Sequence, residues 1–170
     1  MNKIGIFYAF NTVKTARCAK KILKQVRGNE SAELVDVLTL DEATFLSYNN
    51  LILGVPTWFD GELPTYWDEF VPSIEEMKLE GKRIAIFGLG DQKGYPENFV
   101  DGIGLIAVAL EERGAEIVGL TSIEGYKFEK SLALRNNKFL GLAIDIENQA
   151  GLTDERIINW VKQLQEEFKR

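Results

Sequence analysis

The segment that spans residues 9–15 has the composition of a loop that can hold a phosphate group. It reads Ala-Phe-Asn-Thr-Val-Lys-Thr and joins a short β-favouring run to a stretch with helical apolar spacing. Free backbone N–H groups and the helix dipole attract an anion at such a junction, where the hydroxyls of Thr12 and Thr15 could add donors. The Walker pattern Gly-x-x-x-x-Gly-Lys-Ser/Thr is absent, which disfavours nucleoside triphosphate hydrolysis. An ordinary helix-capping turn would explain the same residues.

Two aromatic residues occupy loops that follow other predicted strands. Trp58 lies in the loop 54–64 and Tyr95 lies in the loop 88–99, at matching positions after their strands. The glycines of the second loop lack the Gly-x-Gly-x-x-Gly spacing of a dinucleotide site. Taken singly, each aromatic is more readily explained as a packing residue. Together with the phosphate-holding loop, the pair indicates a site for a planar ring that carries a phosphate tail.

The composition excludes several kinds of chemistry. The chain has 170 residues and no histidine, which removes the Ser-His-Asp triad, the Cys-His dyad and His-ligated zinc or haem. The single cysteine, Cys18, is interpreted as a buried apolar residue of a helix. A formal net charge of −6 argues against nucleic-acid binding and favours protein partners with basic docking faces. The apolar runs are too short to cross a bilayer, so we expect a cytoplasmic protein without membrane insertion. The length of the chain predicts one domain over residues 1–170.

The elements that must position these loops alternate between strands and helices. Five apolar runs predict buried parallel strands at 3–8, 34–37, 51–55, 84–89 and 116–120. Helical spacing predicts helices at 15–26, 41–46, 63–77, 97–113 and 154–168, with Pro72 bending or ending the third and Thr153 capping the last. Such alternation builds a parallel sheet covered on both faces, with ligand loops at the carboxyl ends of the strands. The polar segment 121–138 interrupts an apolar run that resumes at 139–146, which predicts a loop inserted into the last strand.

Several segments together resemble the flavodoxin family, specifically its long-chain branch, over residues 3–168. They are Lys3-Ile4-Gly5-Ile6-Phe7-Tyr8, Pro56-Thr57-Trp58, Gly61-Glu62-Leu63, Phe87-Gly88-Leu89-Gly90-Asp91-Gln92, Gly94-Tyr95-Pro96-Glu97-Asn98, Gly125-Tyr126-Lys127-Phe128 and Lys138-Phe139-Leu140-Gly141-Leu142-Ala143-Ile144-Asp145. The resemblance implies an α/β fold: a doubly wound five-stranded parallel sheet in the order 2-1-3-4-5, with helices on both faces and an insertion in the last strand.

The resemblance also implies a site for one non-covalently bound FMN. Trp58 and Tyr95 would flank the isoalloxazine ring, and the backbone near Phe59, Asp91 and Phe99 would bond its polar edge. The residues expected to hold the phosphate are Phe10, Asn11, Thr12, Val13, Lys14 and Thr15, and the remaining expected contacts are Pro56, Thr57, Asp60, Gly61, Gly90 and Asn98.

The phosphate loop departs from the family's Ser/Thr-x-Thr-Gly-x-Thr pattern at two positions. Phe10 replaces the first hydroxyl and Val13 replaces the glycine. The loss of one hydrogen bond to a charged group costs roughly 1.5–3 kcal/mol, so we expect weaker FMN binding than in relatives with the usual loop. If the loop requires a positive φ at Val13, the β-branched side chain would tolerate it poorly.

The function implied by the resemblance is that of a low-potential one-electron carrier rather than a substrate-specific enzyme. It would shuttle electrons, as a monomer, between a reductase of the ferredoxin/flavodoxin–NADP reductase type or a photosystem-type donor and redox acceptor enzymes. Acidic residues between 58 and 71 would disfavour the anionic reduced flavin and lower its potential, although they also suit an ordinary solvated face. Two alternatives stay open: an FMN-dependent quinone or nitro-compound oxidoreductase, and a flavodoxin-like binding protein with weakened FMN affinity.

Overall fold

The computed structural model describes residues 3–28 and 31–170. Its strands are β1 Ile4–Tyr8, β2 Ala32–Asp36, β3 Asn50–Gly54, β4 Arg83–Leu89, β5 Glu116–Val118, β6 Thr121–Ser122, β7 Leu134–Arg135, β8 Lys138–Phe139 and β9 Leu142–Ile144. Its helices are α1 Lys14–Val26, α2 Glu42–Leu46, α3 Thr65–Asp68, α4 Val71–Glu75, α5 Asp101–Glu111, α6 Ile146–Gln149 and α7 Thr153–Glu167, with 3-10 turns at Val37–Thr39 and Ala150–Leu152.

The main sheet is parallel and has the strand order β2-β1-β3-β4-β5, which confirms the predicted order. Every residue of β1 and of β3 is buried, because helices cover both faces of the sheet. β4 pairs with β5 along its first half and with β9 along its second half. The last strand of the sheet is therefore interrupted, as predicted. The interruption contains a small antiparallel sheet in the order β6-β8-β7.

Two apolar cores lie on the opposite faces of the sheet. One face packs against α2, α3, α4 and α5, with Phe45 and Trp67 fully buried. The other packs against α1 and α7, with Ile22 and Trp160 fully buried. The indole N–H of each tryptophan donates to a carbonyl at the carboxyl end of a strand. Trp67 donates to Gly54, which ends β3, and Trp160 donates to Gly119, which follows β5, both at 2.8 Å. Burial of a side chain such as Phe45 or Ile22 stabilises the fold by roughly 1.5–3 kcal/mol.

Two predicted helices differ from the structure. The helix predicted at 63–77 is two short helices, α3 and α4, because Pro72 lacks an N–H group and lies in the first turn of α4. The helix predicted at 97–113 begins only at Asp101, since Val100 has a left-handed backbone with φ of 49°. A left-handed residue cannot continue a right-handed helix, so residues 97–100 form a turn instead.

Two smaller predictions near the carboxyl-terminal end are wrong. Thr153 is the first residue of α7 rather than its cap, and its buried hydroxyl makes no hydrogen bond. The resumed apolar run at 139–146 is not one strand: Phe139 ends β8, β9 is three residues long, and Ile146 begins α6.

None of the helices within residues 3–28 and 31–170 combines the length and apolarity needed to cross a membrane.

Candidate functional site

The candidate site is a cleft at the carboxyl end of the parallel sheet, where the loops after β1, β3, β4 and β9 meet. Two adjoining cavities of about 460 and 490 Å³ form it, a size that suits a cofactor. This cleft is lined by Thr12, Val13, Lys14, Thr15, Pro56, Thr57, Trp58, Phe59, Leu89, Gly90, Asp91, Tyr95, Asn98, Val100, Ile146 and Glu147. Its position agrees with the rule that open α/β sheets bind ligands outside the carboxyl ends of their strands.

One wall of the cleft is Trp58, held by a closed turn. Its backbone N–H and carbonyl exchange hydrogen bonds of 2.8 Å with those of Glu62. Its indole lies edge-on to the ring of Tyr66 at 5.6 Å and remains 36% exposed. Inside the turn, Phe59 has a left-handed φ of 47° and Gly61 has φ of 92°. A Cβ at Gly61 would lie 2.7 Å from Oδ2 of Asp101, so only glycine fits there.

The second wall is Tyr95, which is half exposed and closes another tight turn. Its N–H donates to the Asp91 carbonyl at 2.9 Å. The Asp91 side chain accepts hydrogen bonds from the N–H groups of Gly94 (2.8 Å) and Lys93 (3.1 Å). The Gly94 N–H and the side-chain amide of Asn148 hold the pKa of Asp91 below its ordinary value. Asp91 therefore stays ionised at neutral pH and adds negative charge to this end of the cleft.

The opposite end of the cleft is the N-terminus of α1, where the first turn leaves N–H groups without intrahelical acceptors. The first turn of α1 contains no acidic residue, and Lys14 pairs with Glu147 across the cleft. The Thr12 hydroxyl already donates to the Ala9 carbonyl at 2.7 Å, so its proton is committed within the loop. The helix dipole and the Lys14 ammonium make this end suitable for an anion.

Most of the residues predicted for the site line the cleft, namely Thr12, Val13, Lys14, Thr15, Pro56, Thr57, Trp58, Phe59, Gly90, Asp91, Tyr95 and Asn98. Val13 has φ of −99°, so the positive φ considered for this position does not occur. Phe10 and Asn11 are exposed and not among the lining residues, and the Phe10 ring packs on Tyr8 at 4.9 Å. Asp60 and Gly61 line a neighbouring cavity beside the insertion.

The structure does not bring Phe99 to the surface of the cleft. Its ring is buried and packs against Tyr126, Phe128 and Phe139. Its N–H donates to the Lys130 carbonyl at 3.2 Å, which commits that group to the protein rather than to a cofactor edge. The Phe99 N–H is therefore not free to donate the hydrogen bond that was expected to the polar edge of FMN.

Four lining residues were not predicted from the sequence: Leu89, Val100, Ile146 and Glu147. Val100 was expected to belong to a helix that begins at residue 97, and not to a loop. Ile146 and Glu147 begin α6, which a single residue separates from the end of the last parallel strand. The rule that ligand loops follow the carboxyl ends of strands would have pointed to them, had the end of that strand been placed correctly.

The parallel sheet and its aromatic-walled cleft define a doubly wound α/β protein with the flavodoxin-like strand order. The sequence model described as "Flavodoxin" matches residues 6–160. The flavodoxin of Synechococcus elongatus is 42% identical over 168 residues, covering 99% of each chain, and a Nostoc flavodoxin is 44% identical over 166 residues, covering 98% of this chain and 97% of its own. A crystal structure of Fusobacterium nucleatum flavodoxin bound to flavin mononucleotide superposes with a TM-score of 0.92 at 34% identity, covering 98% of this chain and 99% of the other. The chain belongs to the flavodoxin family.

Proposed function

We propose that this protein is a low-potential one-electron carrier that holds one FMN, without a covalent bond, between Trp58 and Tyr95. The observation that carries the proposal is a pair of partly exposed aromatic walls facing a cleft whose far end is a helix N-terminus. Membership of the flavodoxin family and the similarity to an FMN-bound flavodoxin support it. The family assignment also favours an electron carrier over a quinone or nitro-compound oxidoreductase.

The residues of the cleft fit FMN in size, polarity and charge. Large aromatic side chains elsewhere in the fold, such as Trp67 and Trp160, are fully buried, whereas Trp58 and Tyr95 leave apolar surface uncovered. A planar ring would cover that surface. The N–H groups of the first turn of α1, the Thr15 hydroxyl and the Lys14 ammonium would hold the dianionic phosphate.

The protein's own contribution is to bind, orient and tune the cofactor, which supplies the redox chemistry when bound. Trp58 and Tyr95 fix the plane of the ring and shield its faces from water. The ionised Asp91 lines the cleft, and Asp60 and Glu62 belong to the turn that holds Trp58. Negative charge near the ring opposes the addition of an electron, because like charges repel. This arrangement lowers the reduction potential.

The rim of the cleft suits protein partners with a basic docking face. Phe59 is 72% exposed and Tyr95 50% exposed, which gives the rim an apolar centre. The nearby carboxylates and the net charge of −6 would steer a basic partner toward it. We propose that the monomeric protein, a single domain over residues 1–170 in the cytoplasm, accepts electrons from a ferredoxin/flavodoxin–NADP reductase or a photosystem-type donor and passes them to acceptor enzymes.

The proposal is tested first by titrating apo-protein with FMN while following flavin fluorescence. We expect one FMN per chain and strong quenching of the flavin fluorescence, with Trp58→Phe retaining most of the FMN affinity and Trp58→Ala losing part of it. The loaded protein is then supplied with NADPH and a flavodoxin reductase, and cytochrome c is offered as acceptor. Electron transfer that requires the protein supports a carrier. Absence of FMN binding, or steady turnover of a quinone without a protein partner, would refute the proposal.

A further inference from the structure

The Asp145 carboxylate is fully buried between β9 and α6 and is surrounded by donors. Oδ2 accepts from the backbone N–H of Gln92 at 3.1 Å and from its side-chain amide at 2.7 Å. Oδ1 accepts from the backbone N–H of Asn148 at 3.0 Å, and the Asn148 side-chain amide reaches both oxygens at 2.9 and 3.1 Å. Among the described residues, no lysine or arginine forms a salt bridge with it. Amide donors therefore replace the water that a buried carboxylate loses.

Both donor residues connect Asp145 to the turn that carries Tyr95. Gln92 belongs to that turn. Asn148 uses its side-chain amide a second time, donating to Oδ1 of Asp91 at 2.7 Å. The same Asp91 oxygen accepts the N–H groups of residues 93 and 94, and the Asp91 carbonyl accepts the N–H of Tyr95 at 2.9 Å. A continuous set of hydrogen bonds thus runs from the buried carboxylate to the aromatic wall.

The geometry leaves this set little freedom to rearrange. The side-chain carbonyl of Gln92 accepts the N–H of Lys127, in the insertion, at 2.6 Å. That bond fixes which end of the Gln92 amide faces Asp145. The turn itself is tightly closed, because a Cβ at Gly94 would lie 2.5 Å from Oδ2 of Asp91.

We propose that Asp145 is a positioning residue that holds the 91–95 turn, through Gln92 and Asn148, so that Tyr95 forms the second wall of the cleft. The role of Tyr95 in FMN binding rests on the proposed function, whereas the clamp on the turn does not. Each Asp145 oxygen faces a backbone N–H, which cannot be turned round as a side-chain amide can. Asp145→Asn therefore places an NH₂ group against an N–H in either orientation, and a carboxylate is required.

Amide hydrogen exchange in the apo-protein tests the clamp without FMN. We expect Asp145→Asn to speed exchange at Lys93 and Gly94 by about tenfold or more, because the hydrogen bonds of the turn open more often. The matched control is Asp41→Asn, which removes a carboxylate that caps α2, accepting the Thr44 N–H at 2.8 Å, outside the cleft. The control is expected to leave exchange at both amides unchanged. Unchanged exchange in Asp145→Asn would overturn the proposal.

A double-mutant cycle on FMN affinity then tests the connection to Tyr95. We expect Asp145→Asn to weaken FMN binding by about tenfold in the native background and far less in the Tyr95→Ala background. Equal losses in both backgrounds would show that Asp145 acts by another route and would overturn its role through Tyr95. If Tyr95→Ala alone leaves affinity unchanged, the proposed wall fails, and the exchange experiment still decides the clamp.

Asn148→Ala covers the case in which Asp145→Asn does not fold. This variant keeps the backbone bond from residue 148 to Asp145, and hence the cap of α6, but removes the link to Asp91. We expect faster exchange at Gly94 and a non-additive loss of FMN affinity with Tyr95→Ala. A variant with native exchange at Gly94 would contradict the clamp.

Discussion

The ion pair between Lys14 and Glu147 predicts that removal of an acidic side chain strengthens cofactor binding. The pair spans the end of the cleft at which α1 begins. There, Glu147 holds the Lys14 ammonium and places a negative charge where the FMN phosphate would bind. Glu147→Gln keeps the size of the side chain, frees Lys14 for the phosphate and removes the repulsion. FMN affinity should therefore rise.

The size of the effect follows from the exposure of the two side chains. They are 52% and 53% exposed, so water screens most of their interaction. Exposed charge pairs at this degree of screening are typically worth about 0.2–1 kcal/mol, which corresponds to a gain in FMN affinity of up to about fivefold. Because the screening length falls from about 10 Å at 0.1 M salt to about 3 Å at 1 M, the gain should largely disappear at high salt.

The assay is parallel titration of apo-protein with FMN and with riboflavin, which lacks the phosphate. Glu147→Gln should tighten FMN binding and leave riboflavin binding unchanged. The matched control is Asp154→Asn, which removes the acidic partner of Lys21 in a similar exposed pair at 2.5 Å outside the cleft. An equal gain for riboflavin, an equal gain in the control, or a gain that persists at 1 M salt would refute the electrostatic reasoning.

Three further predictions concern the walls and the loops of the cleft. Trp58→Ala and Tyr95→Ala should each weaken FMN binding by roughly 1–3 kcal/mol without unfolding the apo-protein, since both rings are partly exposed. Loss of the thermal unfolding transition would instead identify them as core residues. Phe10→Thr should strengthen FMN binding, because it replaces the ring that packs on Tyr8 with a hydroxyl two residues from Thr12, which lines the cleft. Val13→Gly should not strengthen it, because Val13 already has a negative φ. Titration of each single variant separates the two effects. The hydrogen bonds that lower the pKa of Asp91 stabilise the fold at pH values above the ordinary aspartate pKa of about 3.9, and this contribution is lost as the pH falls through the lower pKa of the folded state. Asp91→Asn should flatten that part of an acid-unfolding curve, and an unchanged curve would contradict the assignment.

The sequence by itself determined the architecture, because the signals for it are local. Alternating apolar runs and helical stripes gave the strands and most helices, and the polar segment after residue 120 revealed the insertion. The loops at the strand ends placed Trp58 and Tyr95 on the site, since residues that follow parallel strands meet at one edge of the sheet. Even Pro72 was informative, because proline lacks the N–H group that a helix interior requires and is tolerated only in the first turn of a helix.

Only the tertiary structure decided the contacts that give the cleft its charge and rigidity. Lys14 and Glu147 are 133 positions apart, and Asp145 meets Gln92 across 53 positions. Such pairs form because the crossovers of a doubly wound sheet bring distant loops to one edge, which no local periodicity records. The sequence also did not predict the left-handed backbone of Val100 or the hydrogen bond from the Phe99 N–H to the Lys130 carbonyl. The packing around each residue, and not its type, sets these features.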